Sequence, residues 1–177
     1  ISILAIFIII FFVFKSALLP VILVAVIEFA IFINMAIPFY QGISLPFVAS
    51  IVIGTIQLGA TVDYAILMTS RYQKERLRGK TKMDAISIAH KTSMLSIISS
   101  GLSFFAATFG VALYSQVDMI GSICTLLARG AIISMLVVIL LLPAMFMIFD
   151  KLIIKTTFGK NPELKALKER SKHHEQK

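Results

Sequence analysis

Apolar residues run along this chain in long unbroken blocks, and the polar residues gather in the gaps between them. The blocks cover residues 1–14, 17–37, 47–70, 94–114 and 122–149. Crossing about 30 Å of hydrocarbon at 1.5 Å per residue takes about 20 apolar residues in a helix. The last four blocks therefore predict complete spans. The first is too short alone and predicts the end of a truncated span. The expected fold is all-α, a polytopic membrane helix bundle of about five transmembrane helices over residues 1–149.

The gaps carry the punctuation of turns. Lys15 and Ser16 predict a tight turn, and the loop 38–46 holds Gly42 between Pro38 and Pro46. A polar linker covers 71–91, a short loop 115–121, and a basic tail 150–177. Within the tail, Asn161, Pro162 and Glu163 have the order of a cap, a first-turn proline and an early acid, predicting a short soluble helix. The chain opens on Ile1, already apolar, with neither the charged segment nor the cleavage site of a signal peptide. A start inside a helix, and membership in something larger, is the expectation.

Composition agrees with lipid as the solvent. The chain is 58% hydrophobic and 15% charged, with a mean hydropathy of +0.94, against roughly 45–50% and about 25% in soluble domains. Its net charge of +8 would suit a nucleic-acid binder, but the placement of the charge says otherwise. If the blocks alternate across the membrane, Lys15, the basic residues of 71–91 and those of the tail share one side. They account for 16 of the 17 lysines and arginines. The loops 38–46 and 115–121 hold none. Such sorting marks the cytoplasmic side, so the C-terminus is expected in the cytoplasm and no nucleic acid is needed. Cys124, the single cysteine, sits in an apolar block and offers neither a disulfide framework nor metal-ligand spacing.

Glu28, Asp63 and Arg129 fall inside predicted spans. A charge there costs about 2.5–3.5 kcal/mol on insertion scales, so each should face the bundle interior and serve a purpose. A buried carboxyl favours its neutral form, which suits a proton carrier; sodium would need more oxygen ligands. The alternative is structural, with the acids bonding neighbouring helices or pairing with Arg129. By helical rise, Asp63 and Glu28 lie roughly 10 and 16 Å from the cytoplasmic face, within mutual reach if their helices touch. Arg129 enters from the outer side. It is a candidate counter-charge for Asp63 only through a tilted helix or a long reach, and otherwise snorkels outward.

Gly59 and Ala60 lie one turn before Asp63 on the same face, with Gly54 further up, so a second backbone or water has room beside the carboxyl. Tyr64 follows directly and could donate to a carboxylate or relay a proton. The fourth block is rich in small residues, among them Ser99, Ser100 and Ser103, at spacings of tight helix contact. Helix packing explains any one of these serines; beside an acid their hydroxyls also offer partners.

Gly59-Ala60-Thr61-Val62-Asp63-Tyr64, followed by Ser70-Arg71-Tyr72, resembles the MMPL branch of the RND superfamily of exporters. That family carries a Gly-x-x-x-Asp-Tyr motif in a central helix, then an Arg-Tyr pair at the cytoplasmic boundary. An amphipathic linker and a small-residue span come next, matched here by 85–89 and 96–110. The resemblance covers roughly 15–151. It implies a proton relay at Asp63 and Tyr64, with Glu28 second. It further implies six helices in each of two halves, so that this chain would be the last five of one half, and a large extracytoplasmic domain. Export of lipids, hydrophobic drugs or peptides against proton entry is the activity it implies. Partners would be the bilayer, the remaining half and extracytoplasmic domains, and the substrate. No cofactor or metal is implied. Only one Asp-Tyr pair is present, where the family often has two.

Two other roles suit the same bundle: a Sec accessory membrane subunit of the superfamily, or a sensor or scaffold like sterol-sensing domains, in which Asp63 would be structural. An enzyme is not expected, because no Ser/His/Asp arrangement, metal cluster or phosphate loop is apparent. His90, His173 and His174 lie in polar segments and read as solvated.

Overall fold

The computed structural model describes residues 2–42 and 47–156. Five helices follow one another: α1 (Ser2–Phe14), α2 (Leu18–Tyr40), α3 (Phe47–Leu77), α4 (Lys82–Tyr114) and α5 (Asp118–Thr156). Among the described residues there is no strand. Four helices, α2 to α5, are long and apolar enough to cross a membrane, and α1 is a shorter apolar helix. The molecule is the expected all-α membrane bundle. The expected tail helix near residue 161 lies outside the described residues.

The helices run further than the apolar blocks. α2 continues through Pro38, two residues before its end, and the missing amide leaves the Asn34 carbonyl without its helical partner. The polar linker 71–91 is mostly the last turns of α3 and the first turns of α4. The change of direction between them is confined to 78–81. Gly79, at φ +80°, takes the left-handed conformation that ends α3. Thr81 starts α4: its hydroxyl oxygen accepts from the Asp84 amide at 3.2 Å and donates to the Asp84 carboxylate at 2.7 Å. Between α1 and α2, Lys15 takes φ +49°, which makes the tight turn.

The basic loops lie together at one end of the bundle, here the basic end; the opposite, distal end holds the α2–α3 and α4–α5 connections. α5 is the central helix and packs against α2, α3 and α4. Its Met135 fills the space left by Gly101, where a Cβ would meet the Met135 sulfur at 2.9 Å. Two apolar clusters form the core. The larger, toward the basic end, includes Leu23, Ile27, Met68, Leu142 and Phe146. The smaller, toward the distal end, is Ala49, Ile53, Leu126 and Leu127. Large apolar side chains such as Phe32, Leu95, Leu140 and Ile148 remain outward, as lipid allows and water does not.

Candidate functional site

Asp63 sits near the middle of α3, on the side turned out of the bundle, and its side chain is exposed. Tyr64 is buried in the larger core cluster. Consecutive residues lie 100° apart around a helix, so burying one face of α3 turns the pair in different directions. No hydrogen bond joins Asp63 to Tyr64 among the described residues. Gly59 shares the outward face, and nothing lies within 4 Å of where its Cβ would be. Ala60 is half-buried beside it. Of the two uses expected of Gly59, a close backbone or room for water, the described residues show no close backbone.

Ser99, Ser100 and Ser103 are likewise exposed. The buried face of α4 is Ala85, Ile86, Ala89, Ser93, Ile97 and Gly101, and the three serines point away from it. Within this chain they do not surround Asp63. Glu28 lines a groove of about 340 Å³ against Ile3, Gly54, Thr55 and Leu58. Asp63 does not border that groove and lies five residues, about 7.5 Å, beyond Leu58 along α3. The room that Gly54 leaves thus falls beside Glu28, and the structure does not bring the two acids together.

Arg129 turns to α2 rather than to Asp63. Its Nε donates to the Asn34 side-chain oxygen at 3.0 Å, and Nη2 donates to the Asn34 carbonyl at 3.1 Å. Among the described residues no carboxylate pairs with it, so the candidate counter-charge role is not met there. The reason is helical register: Arg129 faces Asn34 in the interior, whereas Asp63 faces outward.

Asn34 opens a polar layer between the two apolar clusters. Its Nδ2 donates to Gln57 Oε1 at 2.8 Å and to the Leu126 carbonyl at 3.2 Å. Gln57 Nε2 in turn donates to Ser134 Oγ at 3.0 Å, with longer bonds to the Ala30 and Gly130 carbonyls. Asn34 is fully buried, Gln57 2% exposed and Ser134 1%. An unsatisfied amide in such a place would cost several kcal/mol, and here every amide nitrogen finds acceptors. Gly130 makes the layer possible. A Cβ there would stand 2.7 Å from Asn34 Nδ2 and 2.8 Å from Gln57 Oε1. Charge and motif alone passed over this network. The signal was present, since Asn34 and Gln57 are the only amide side chains inside the apolar blocks.

Above Arg129 a cavity of about 580 Å³ opens toward the distal end. Gln41, Ser115, Asp118, Ser122 and Thr125 supply its polar lining. At the basic end a second polar group closes α3 on α5. Arg76 grips Asp150 in a fork, Nε to Oδ1 and Nη2 to Oδ2, each 2.9 Å. The Tyr72 hydroxyl donates to the same carboxylate, and its ring stacks on Phe146 with centroids 4.4 Å apart.

Helices this long and apolar, with large apolar side chains turned outward, make the chain a multi-pass membrane bundle. The chain is a member of the MMPL family, whose model matches residues 1–167. It is 30% identical over 98 residues to the mycolic acid-containing lipids exporter MmpL11 of Mycolicibacterium smegmatis, covering 53% of this chain and 10% of that protein. It is 26% identical over 110 residues to the membrane protein ActII-3 of Streptomyces coelicolor, covering 62% of this chain and 15% of the relative. The chain thus spans only a small part of the length of either relative. No solved structure gives a significant match.

Proposed function

We propose that this chain is the proton-coupling membrane part of an MMPL-type lipid exporter driven by the proton-motive force. The basic end faces the cytoplasm and the distal end the outside of a prokaryotic cytoplasmic membrane. The observation that carries this is the position of Asp63. A carboxyl group halfway along a membrane-length helix, on a face that its own bundle leaves uncovered, is too costly to leave against lipid. It calls for a partner surface, namely the remaining half of the same transporter. Gly59, with open space over it, and the outward serines of α4 give that surface room to approach.

Asp63 takes a proton from the outer side and releases it toward the cytoplasm. Loss or gain of its charge at a low-dielectric contact alters how the two halves pack, and a rigid-body shift carries that change to distant substrate gates. Tyr64, buried one residue on, holds the register of α3 from the core side while Asp63 titrates on the other. Glu28 lies in its own groove and serves as a secondary proton station. The lipid class follows from the relative that exports mycolic acid-containing lipids. The chain acts as a transporter part and not as an enzyme.

The test is proton flux in vesicles carrying the full-length protein that contains this chain, wild type against Asp63→Asn. Asparagine keeps the shape but cannot titrate. Flux and lipid export should both drop to background while insertion and folding persist. Unchanged flux would overturn the assignment and make Asp63 a packing residue of a sensor or scaffold.

A further inference from the structure

We propose that the distal cavity above Arg129 is a binding site for an acidic group, a phosphate or carboxylate, delivered from the outer side of the membrane. Three observations converge on it. The cavity, about 580 Å³, lies within the usual range of roughly 300–1,000 Å³ for small-molecule sites. Its floor is a guanidinium that no carboxylate of the described residues neutralises. Arg129 spends Nε and one Nη2 bond on Asn34, and Nη1 has no protein partner among the described residues. Those unspent N–H groups are a planar donor set that matches a phosphate or carboxylate.

The remaining lining fits an amphiphile's polar head. Gln41, Ser115, Ser122 and Thr125 offer hydrogen bonds, while Pro38 and Leu126 keep the walls apolar. Asp118 is the one acid of the lining, at the mouth, where α5 begins. It stands 11 residues before Arg129, about 16 Å along the helix axis, and among the described residues the two form no ion pair. The Arg129 side chain leans toward the mouth, because side chains on a helix tilt toward its N-terminus. Two bonds to Asn34 fix the arginine, so the site is pre-organised. It is separate from Asp63, which lies outside both the cavity and the amide layer.

The full-length protein in neutral detergent is titrated with dioctanoyl-phosphatidylglycerol, with inorganic phosphate and with dioctanoylglycerol, which has the same chains and no acidic group, reading the thermal unfolding midpoint. Phosphatidylglycerol should raise the midpoint in a saturable way. The phosphate arm separates the sources: a matching rise means that a soluble anion suffices, and no rise means that the acidic group must arrive on a lipid. Arg129→Gln should weaken the apparent affinity about tenfold or more, as expected for loss of a charge-assisted partner. Ser122→Trp fills the cavity and leaves Arg129 and its bonds to Asn34 alone, so it tests the site even if Arg129→Gln misfolds. It too should weaken binding. An equal response to dioctanoylglycerol, no response to either acidic probe, or wild-type affinity in either folded variant would overturn the site. No proton gradient is present in the measurement, so its failure would leave the proposed role of Asp63 untouched, and the reverse also holds.

Discussion

Toward the distal end, α3 meets α5 through Gln57, an uncharged amide that shares one nitrogen among Ser134 and two backbone carbonyls. Fifteen residues further along the same helix, Tyr72 and Arg76 meet α5 through a single carboxylate, Asp150. The first contact is neutral and divided among several acceptors, so the loss of any one partner leaves others in place. The second concentrates three donors on one acid with 8% exposure, so its loss strands a guanidinium that is only 14% exposed. Neutral amides suit the depth where charge is most costly. A forked ion pair suits the region near the basic end, where water and headgroups lower the cost.

The largest effect should come from Asp150→Ala. Removing one partner of a buried ion pair costs about 3–5 kcal/mol, because the other charge stays desolvated. The unfolding midpoint in detergent measures it, and a loss below about 1 kcal/mol would show that Arg76 finds another partner. Next comes Gly130→Ala. The added methyl would stand within 2.8 Å of both amide side chains, and both are held by their own bonds. Overpacking of this kind costs about 1–3 kcal/mol. Gly110→Ala, where nothing lies within 4 Å, is the control and should be neutral or slightly stabilising. Equal effects at the two glycines would mean that the polar layer yields easily.

Much of this architecture was legible in the chain. The helices follow from apolar blocks too long for anything but a membrane, and the grouping of basic residues follows from where the gaps fall. Asp63 stood out because a charge among apolar neighbours needs a reason. What the pattern could not tell was direction around the helix axis. Asp63 and Tyr64 are adjacent in sequence and part company in space, because the face of α3 that packs is chosen by Ala65, Met68 and Tyr72 further along the helix. Arg129 stood as a candidate counter-charge for Asp63 or else as a side chain snorkelling outward, and it binds Asn34. Arg76 and Asp150 looked like ordinary members of a charged end, and only the packing of α3 on α5 makes them a buried pair. Weighing amides as heavily as charges would have pointed to Asn34 and Gln57. Ser134 and Gly130 carry no such mark in sequence, since their roles depend on what the neighbouring helices bring.

Gln57→Leu should have a smaller effect than either change above, about 0.6–1.7 kcal/mol, the range for polar contacts between membrane helices. Asn34 keeps the Leu126 carbonyl after that change, which limits the loss. The smallest expected quantity is the coupling between the two regions. Gln57 and Tyr72 are 15 residues apart, about 22 Å along α3, and share no partner. Combining Gln57→Leu with Asp150→Ala should therefore add to within about 0.5 kcal/mol. Asp63 lies on α3 between the two contacts, which gives the cycle its interest. Additivity would mean that each contact pins α3 independently, leaving Asp63 on a helix held firmly at both levels, so that the coupling proposed above would have to act by moving whole halves. A coupling above about 1 kcal/mol would mean that the two contacts form and break together. α3 would then slide or turn against α5 as one body, and the charge on Asp63 would be able to bias that motion directly.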